Sequence, residues 1–191
     1  MTEQGCANPI DFDVLVAYWL CEQQALDEPR IEEHVFECAY CARRLEELTA
    51  LVYGLRAAVR NGATQGVVTQ GLIEQMRQGG LRVREYRLAP GERVSCTIRA
   101  EDDAVVGRMQ VPLTGVRRVD VLENLDLGDG RVRQSRVEDV PFDPLAGEVI
   151  YLPAAAVLRQ RPAHTLRVVL VAVGDTGEQR LGEYTFAHSP S

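Results

Sequence analysis

Two hydrophobic textures divide the chain. Over its first third, apolar residues recur every three or four positions, the period of a helix with one buried face. Val14, Leu15, Tyr18 and Trp19 form such a set. Asp11 or Asp13 can cap the helix they predict, which runs to about Gln24. Asp27-Glu28-Pro29 is a second start signal: a capping acid, then a proline whose fixed φ suits a first turn. The helix it opens, Arg30 to Cys38, is expected to turn Ile31, Val35 and Phe36 inward. A third helix, Ala42 to Arg60, carries Leu45, Leu48, Val52, Leu55 and Val59 and stops at Asn61-Gly62. A weaker helical stretch covers Val67 to Gln78 and closes at Gly79-Gly80.

From Leu81 the period shortens to two. Short alternating runs at 81–86, 94–99, 117–122, 131–137, 148–152 and 182–186 read as strands, and Leu166 to Val173 reads as a central one. Turn signals stand at Ala89-Pro90-Gly91-Glu92, Gly128-Asp129-Gly130 and Gly174-Asp175-Thr176-Gly177. Strands so spaced, with no helices between them, predict a sandwich or small barrel. The expected fold class is therefore α+β. A small zinc-stapled helical bundle over residues 1–62 precedes a helical linker at 63–80, then an all-β sandwich or cupin-like barrel over 81–191.

Charge sharpens that division. Residues 1–50 hold 11 Asp/Glu against 3 Arg, whereas the remainder holds 17 against 18. An acidic head is unsuited to nucleic acid and suited to a basic protein partner. No stretch approaches the roughly 20 apolar residues of a membrane helix. The first nine residues lack a basic segment followed by an apolar core, so a cytoplasmic protein without a membrane anchor is expected.

Four of the five cysteines, Cys6, Cys21, Cys38 and Cys41, fall in the head, and Cys96 stands apart. In a reducing compartment such clustering points to metal or thiol chemistry. His34 and Cys38 are four residues apart, on one helical face, and Cys41 lies a further turn on. Zinc takes four tetrahedral nitrogen or sulfur ligands, and this run offers three. The fourth is sought in Cys6, ahead of the first helix, with Cys21, Asp11 and Asp13 as rivals. Without metal, the same Cys-x-x-Cys pair would be a redox couple or two buried small side chains.

His34-x-x-x-Cys38-x-x-Cys41, after the Ala17-Tyr18 helix and before Arg43-Arg44-Leu45, resembles the zinc-binding anti-sigma domain of bacteria over residues 5–60. The resemblance implies one Zn2+ per chain, with Cys6 as the upstream ligand. It also implies a partner, an extracytoplasmic-function sigma factor, that the helical head would sequester, repressing transcription. Leu15, Tyr18, Trp19, Leu45, Leu48 and Val52 are the candidate apolar anchors for it, and all of them also suit the small helical core. Some members of that family release their partner when oxidation expels the metal.

The β region carries no chemistry of its own that the sequence exposes. His164 and His188 stand far apart with no His-x-His pair, which argues against a metal-binding cupin. There is no nucleophile motif and no glycine-rich phosphate loop. Glu101-Asp102-Asp103 reads as a solvated turn, Cys96 as a buried small residue, His188 as part of a polar tail, and Arg131, Arg133 and Arg136 as an exposed strand face. No enzymatic activity is expected. The β domain is expected to sense a signal or bind a partner. A zinc scaffold without a sigma partner, and a thiol redox protein, are the competing readings.

Overall fold

The structure, a computed structural model, describes residues 5–22, 27–175 and 177–190. It is α+β: helices first, then two mixed β-sheets. The chain divides into two compact units, Met1–Ala57 and Ala58–Ser191.

The first unit contains α1 (Phe12–Leu20), α2 (Glu28–Glu37) and most of α3 (Ala39–Arg60). Leu15, Ala17, Ile31, Leu48 and Val52 are buried, and the i,i+4 pair Leu48 and Val52 marks the inward face of α3. Asp11 and Asp27 occupy the N-cap positions of α1 and α2, although neither side chain makes a capping hydrogen bond. Pro29 sits in the first turn of α2. Cys21 ends α1 in the left-handed region at φ 55°. The helix was expected to run to about Gln24, but it ends at Leu20; Gln23 and Gln24 lie outside the described residues.

Two expectations for these helices need correction. Cys38 was expected to continue the helix of His34, but it adopts an extended conformation and separates α2 from α3. Phe36 was expected inward and is 93% exposed. Ile31 and Val35, four residues apart, define the inward face of α2, and Phe36 lies one helical step of about 100° away from it.

Among the described residues the second unit holds nine strands. They are β1 (Gly66–Val68), β2 (Val83–Leu88), β3 (Arg93–Cys96), β4 (Ala104–Gln110), β5 (Val119–Asp126), β6 (Val132–Val137), β7 (Glu148–Leu152), β8 (His164–Gly174) and β9 (Gly177–His188). One sheet has the order β1-β7-β4-β2 and the other β3-β9-β8-β5-β6. Strand β8 is interior, as its near-continuous apolar run implied. Consecutive strands β2 and β3 belong to different sheets. The chain crosses between them at the Ala89–Glu92 turn, where Gly91 has φ 84°.

The two inner faces share one apolar core. Leu88, Met109, Val149 and Tyr151 come from the four-stranded sheet; Val119, Val121, Val168, Leu170 and Tyr184 come from the five-stranded one. Burying each such side chain contributes about 1.5–3 kcal/mol. Tyr184 also donates its hydroxyl to the Gln110 carbonyl at 2.6 Å, joining β9 to β4.

The segment 63–80, expected as a helical linker, is part of this unit. Strand β1 pairs antiparallel with β7, and α4 (Gln70–Gln78) buries Ile73 and Met76. Strand β1 is only three residues long, too short for a period to show. Strand β4 was also unforeseen: six of its seven residues are buried, so no polar–apolar alternation marks it. A short helix, α5 (Ala155–Gln160), closes one end of the sandwich. Gly62 permits its close approach, because a β-carbon there would lie 2.1 Å from the Ala156 nitrogen.

Ion pairs finish the sheet faces. Asp102 is 6% exposed and takes both oxygens' worth of hydrogen bonds from Arg84 (2.7 and 3.0 Å) and one from the Arg99 amide (2.8 Å), so Glu101–Asp103 is not the fully solvated turn expected. Asp120, fully buried, accepts from Arg118, Arg136 and the Asp139 amide. Arg136 is thereby a structural pairing residue rather than part of a bare cationic face.

Candidate metal centre

Cys6, His34, Cys38 and Cys41 converge, their ligand atoms all within 4.8 Å of one another. Each arrives by a different local device. His34 projects from the last turn of α2. Cys38 is the hinge: its amide donates to the His34 carbonyl (2.8 Å), ending α2, and its carbonyl accepts from Ala42 (2.9 Å), beginning α3. Cys41 sits in the first turn of α3 and is fully buried. Cys6 comes from the segment before α1. Arg44 fastens that segment to α3 by donating to the Ile10 carbonyl at 2.6 Å, and its guanidinium lies over the rings of Phe12 and Tyr40. Tyr18 ties α1 to α2 through a 3.3 Å hydrogen bond to Glu32.

The donor geometry can be compared with what a metal requires. Zinc bonds of about 2.3 Å to sulfur and about 2.0–2.1 Å to nitrogen, tetrahedrally disposed, put sulfur and nitrogen about 3.5 Å apart and two sulfurs about 3.8 Å apart. His34 Nε2 lies 3.5 Å from Cys6 Sγ and 3.3 Å from Cys41 Sγ. One nitrogen and three sulfurs, all within 4.8 Å of one another, could hold a metal ion, and that donor set suits a soft or borderline cation.

The electrostatics suit a thiolate at Cys38. Cys38 caps α3, where the amides of Cys41 and Tyr40 point at its sulfur, and its thiol is drawn down to about 7. Desolvation raises the Cys6 thiol, and the neighbouring sulfurs add to that rise. Three thiolates with no cation between them repel, and a divalent ion relieves the repulsion.

The rivals for the fourth position lie elsewhere. Cys21 is exposed and outside the cluster, and neither Asp11 nor Asp13 belongs to it. All five cysteines are free thiols. Of the candidate partner anchors, Leu15, Leu48 and Val52 are buried and pack the helical core, while Tyr18, Trp19 and Leu45 are half-buried. Sequence reasoning missed the large apolar side chains that are exposed on this unit, Phe12, Phe36, Leu51 and Tyr53. Leu51 and Tyr53 flank buried Val52, so their positions in the helical period mark them as outward. The acids Glu22, Asp27, Glu28, Glu32, Glu33 and Glu37 are all exposed. Among the described residues, no helix is long and apolar enough to cross a membrane.

No protein-family model and no curated protein matches the chain. Among solved structures it is similar to the N-terminal domain of phage TP901-1 ORF48, at 12% identity over 57% of this chain and 99% of that one, with a TM-score of 0.36. A likeness that slight bears on neither activity nor partners.

Proposed function

We propose that the helical head binds one zinc ion through Cys6, His34, Cys38 and Cys41, and acts as an anti-sigma module that sequesters an extracytoplasmic-function sigma factor. The observation that carries the reading is the four-donor cluster, with sulfur–nitrogen distances of 3.5 and 3.3 Å. A head of this size has a small apolar core, and a structural metal supplies the missing stability. The ion would hold the pre-α1 segment, the end of α2 and the start of α3 in one geometry.

The surface supports a protein partner. The exposed acids of α2 complement a basic surface and would speed encounter. Phe36, 93% exposed, and Leu51 and Tyr53, both more than 60% exposed, provide apolar contacts beside them. Leu15, Leu48 and Val52 would act indirectly, by shaping the bundle. The second unit would carry the signal-sensing role.

Metal analysis of reduced protein, and co-purification with the candidate sigma factor, test the two halves separately. One zinc per chain and a one-to-one complex are expected. Metal-free protein whose helices are indifferent to chelator would remove the first half. Zinc-loaded protein that forms no complex at micromolar concentration would remove the second.

A thiol switch on the same site has its own support: three sulfurs lie within 4.8 Å of one another. Peroxide would take two electrons from two of these thiolates and be reduced to water, leaving one disulfide and freeing the zinc. Zinc retained at full stoichiometry after peroxide would exclude it.

A further inference from the structure

Strand alternation places three polar side chains side by side inside the sandwich. In the register of the five-stranded sheet, Cys96 of β3 pairs with His188 of β9, and His188 pairs with His164 of β8. Two residues along, on the same face, the next rung reads Phe186, Leu166, Leu125 and Arg133. His188, expected in a polar tail, is 6% exposed, and His164 is 7% exposed.

These residues line a cavity of about 280 Å³ at the end of the sandwich closed by α5. The opposite wall is the rung Tyr86–Gly107–Tyr151 of the four-stranded sheet. Gly107 leaves room for the Phe186 ring, since a β-carbon there would lie 2.6 Å from Phe186 Cζ. Ile98, Val105 and Leu158 complete the apolar lining. The volume is roughly twice that of the ~150 Å³ apolar cavity known to hold benzene. A ring with a short chain fits it.

The polar end of this cavity is unsatisfied. The His188 ring sits 4.8 Å from that of His164, centroid to centroid, and neither of its nitrogens has a hydrogen-bond partner. Burial and the neighbouring His164 ring disfavour its protonated form, and the Leu158 backbone, close by but outside hydrogen-bond geometry, partly offsets them. A buried polar group left unpaired is costly, and a ligand hydroxyl would satisfy it. His164 donates Nδ1–H to the Pro162 carbonyl at 2.9 Å, which leaves Nε2 as the ring's polar atom open to a ligand. The rung therefore offers polar ring nitrogens to one O–H group. Desolvation raises the Cys96 thiol to about 12, so it adds no thiolate.

The other end is cationic. Arg133, exposed on β6, and Arg161, half-buried after α5, line the cavity. Glu123 also lines it, held by the Ser135 hydroxyl at 2.7 Å, so two cations face one anion. Arg133 and Phe186 are three strand spacings apart on one rung, about 14 Å. An arginine reaching inward leaves a span that a phenyl ring with a short acid side chain covers.

We propose that this cavity is a ligand site for a small hydroxylated aromatic acid, its hydroxyl on the His188/His164 pair, its ring against Tyr86, Leu166 and Phe186, and its carboxylate toward Arg133 and Arg161. The site belongs to the second unit alone and does not depend on the zinc or sigma-factor reading of the head.

Isothermal titration of the full chain with hydroxyphenylpropionate, and with phenylpropionate, tests it. The hydroxylated acid is expected to bind with Kd below about 1 mM and at least tenfold more tightly than its parent. In His188→Phe that gap is expected to close. A cavity-filling Leu158→Trp is expected to abolish binding of both, which keeps the test decisive if His188→Phe fails to fold. No binding by the wild type, equal affinity for the two acids, a gap that persists in His188→Phe, or binding that survives Leu158→Trp would each overturn the proposal.

Discussion

Replacing Arg108 with Met should weaken the sandwich by about 3 kcal/mol near neutral pH, and by much less in acid. Arg108 is 3% exposed on β4. Its guanidinium donates to Glu148 (2.5 Å), to Gln70 (2.6 Å) and to Glu85 (2.8 Å), joining β4, β7, β2 and α4. Arg77 adds a second donor to Glu85. Burial alone would raise the Glu85 carboxyl, but Arg108 and Arg77 outweigh it and hold the group at about 2, against an ordinary 4.5. In full that shift corresponds to roughly 3 kcal/mol, and to about 2 kcal/mol once partial solvent exposure is allowed for. Stranding two carboxylates by removing a buried partner typically costs 3–5 kcal/mol, with Arg77 here relieving part of it.

The sign follows from the depressed carboxyl. Its contribution is fully present above pH 4.5 and is lost as pH falls toward 2. In Arg108→Met the carboxyl returns toward 4.5, so the gap between variant and wild type should narrow steadily below that pH. At about 4 °C per kcal/mol for a unit of this size, the expected loss at pH 7 is about 12 °C in the sandwich transition. Calorimetry measures it, and the fluorescence of Trp19, the chain's one tryptophan, separately marks the head transition. A loss below about 1 kcal/mol, or one independent of pH between 3 and 7, would refute the account of this network.

Further substitutions address other parts of the molecule. Cys38→Ser should lower zinc below one per chain and bring the Trp19 transition down, with the sandwich transition unmoved; unchanged zinc stoichiometry would contradict the ligand assignment. Gly107→Ala should destabilise the sandwich by about 1–3 kcal/mol through collision with Phe186, and Phe186→Leu in the same chain should recover much of that in denaturant titration. Phe36→Asp should leave zinc content and both thermal transitions unaltered yet reduce sigma-factor affinity at least tenfold in titration calorimetry. Asp120→Asn should destabilise at pH 7 and converge on wild type in acid, because Arg118 first, then the Asp139 amide and Arg136, hold that carboxyl well below its ordinary value.

Much of the helical head was legible from local spacing. His34, Cys38 and Cys41 lie within eight residues, so no long-range fold is needed to bring them near each other. The break at Cys38 was not legible, because His-x-x-x-Cys fits a continuous helix as well as a capped junction. Which of Cys6, Cys21, Asp11 and Asp13 approaches them depends on the path of the segment before α1, and the Arg44–Ile10 contact decides it. The periods of Leu45, Leu48 and Val52 marked a stripe, but only packing divides it into the buried Leu48 and Val52 and the half-buried Leu45.

In the sandwich, short runs of β-favouring residues identified every strand from β2 on except β4, whose residues are buried on both sides. Sequence alone determined the helix-then-strand order, the acidic head and the three clustered candidate ligands, because each is a property of neighbours along the chain. Only tertiary structure decided that Cys6 joins the cluster, the pairing of Arg108 with residues up to 40 positions away, and the rung that sets Cys96, His164 and His188 abreast. Those depend on strand register, and a shift of one residue would turn all three side chains to the opposite face.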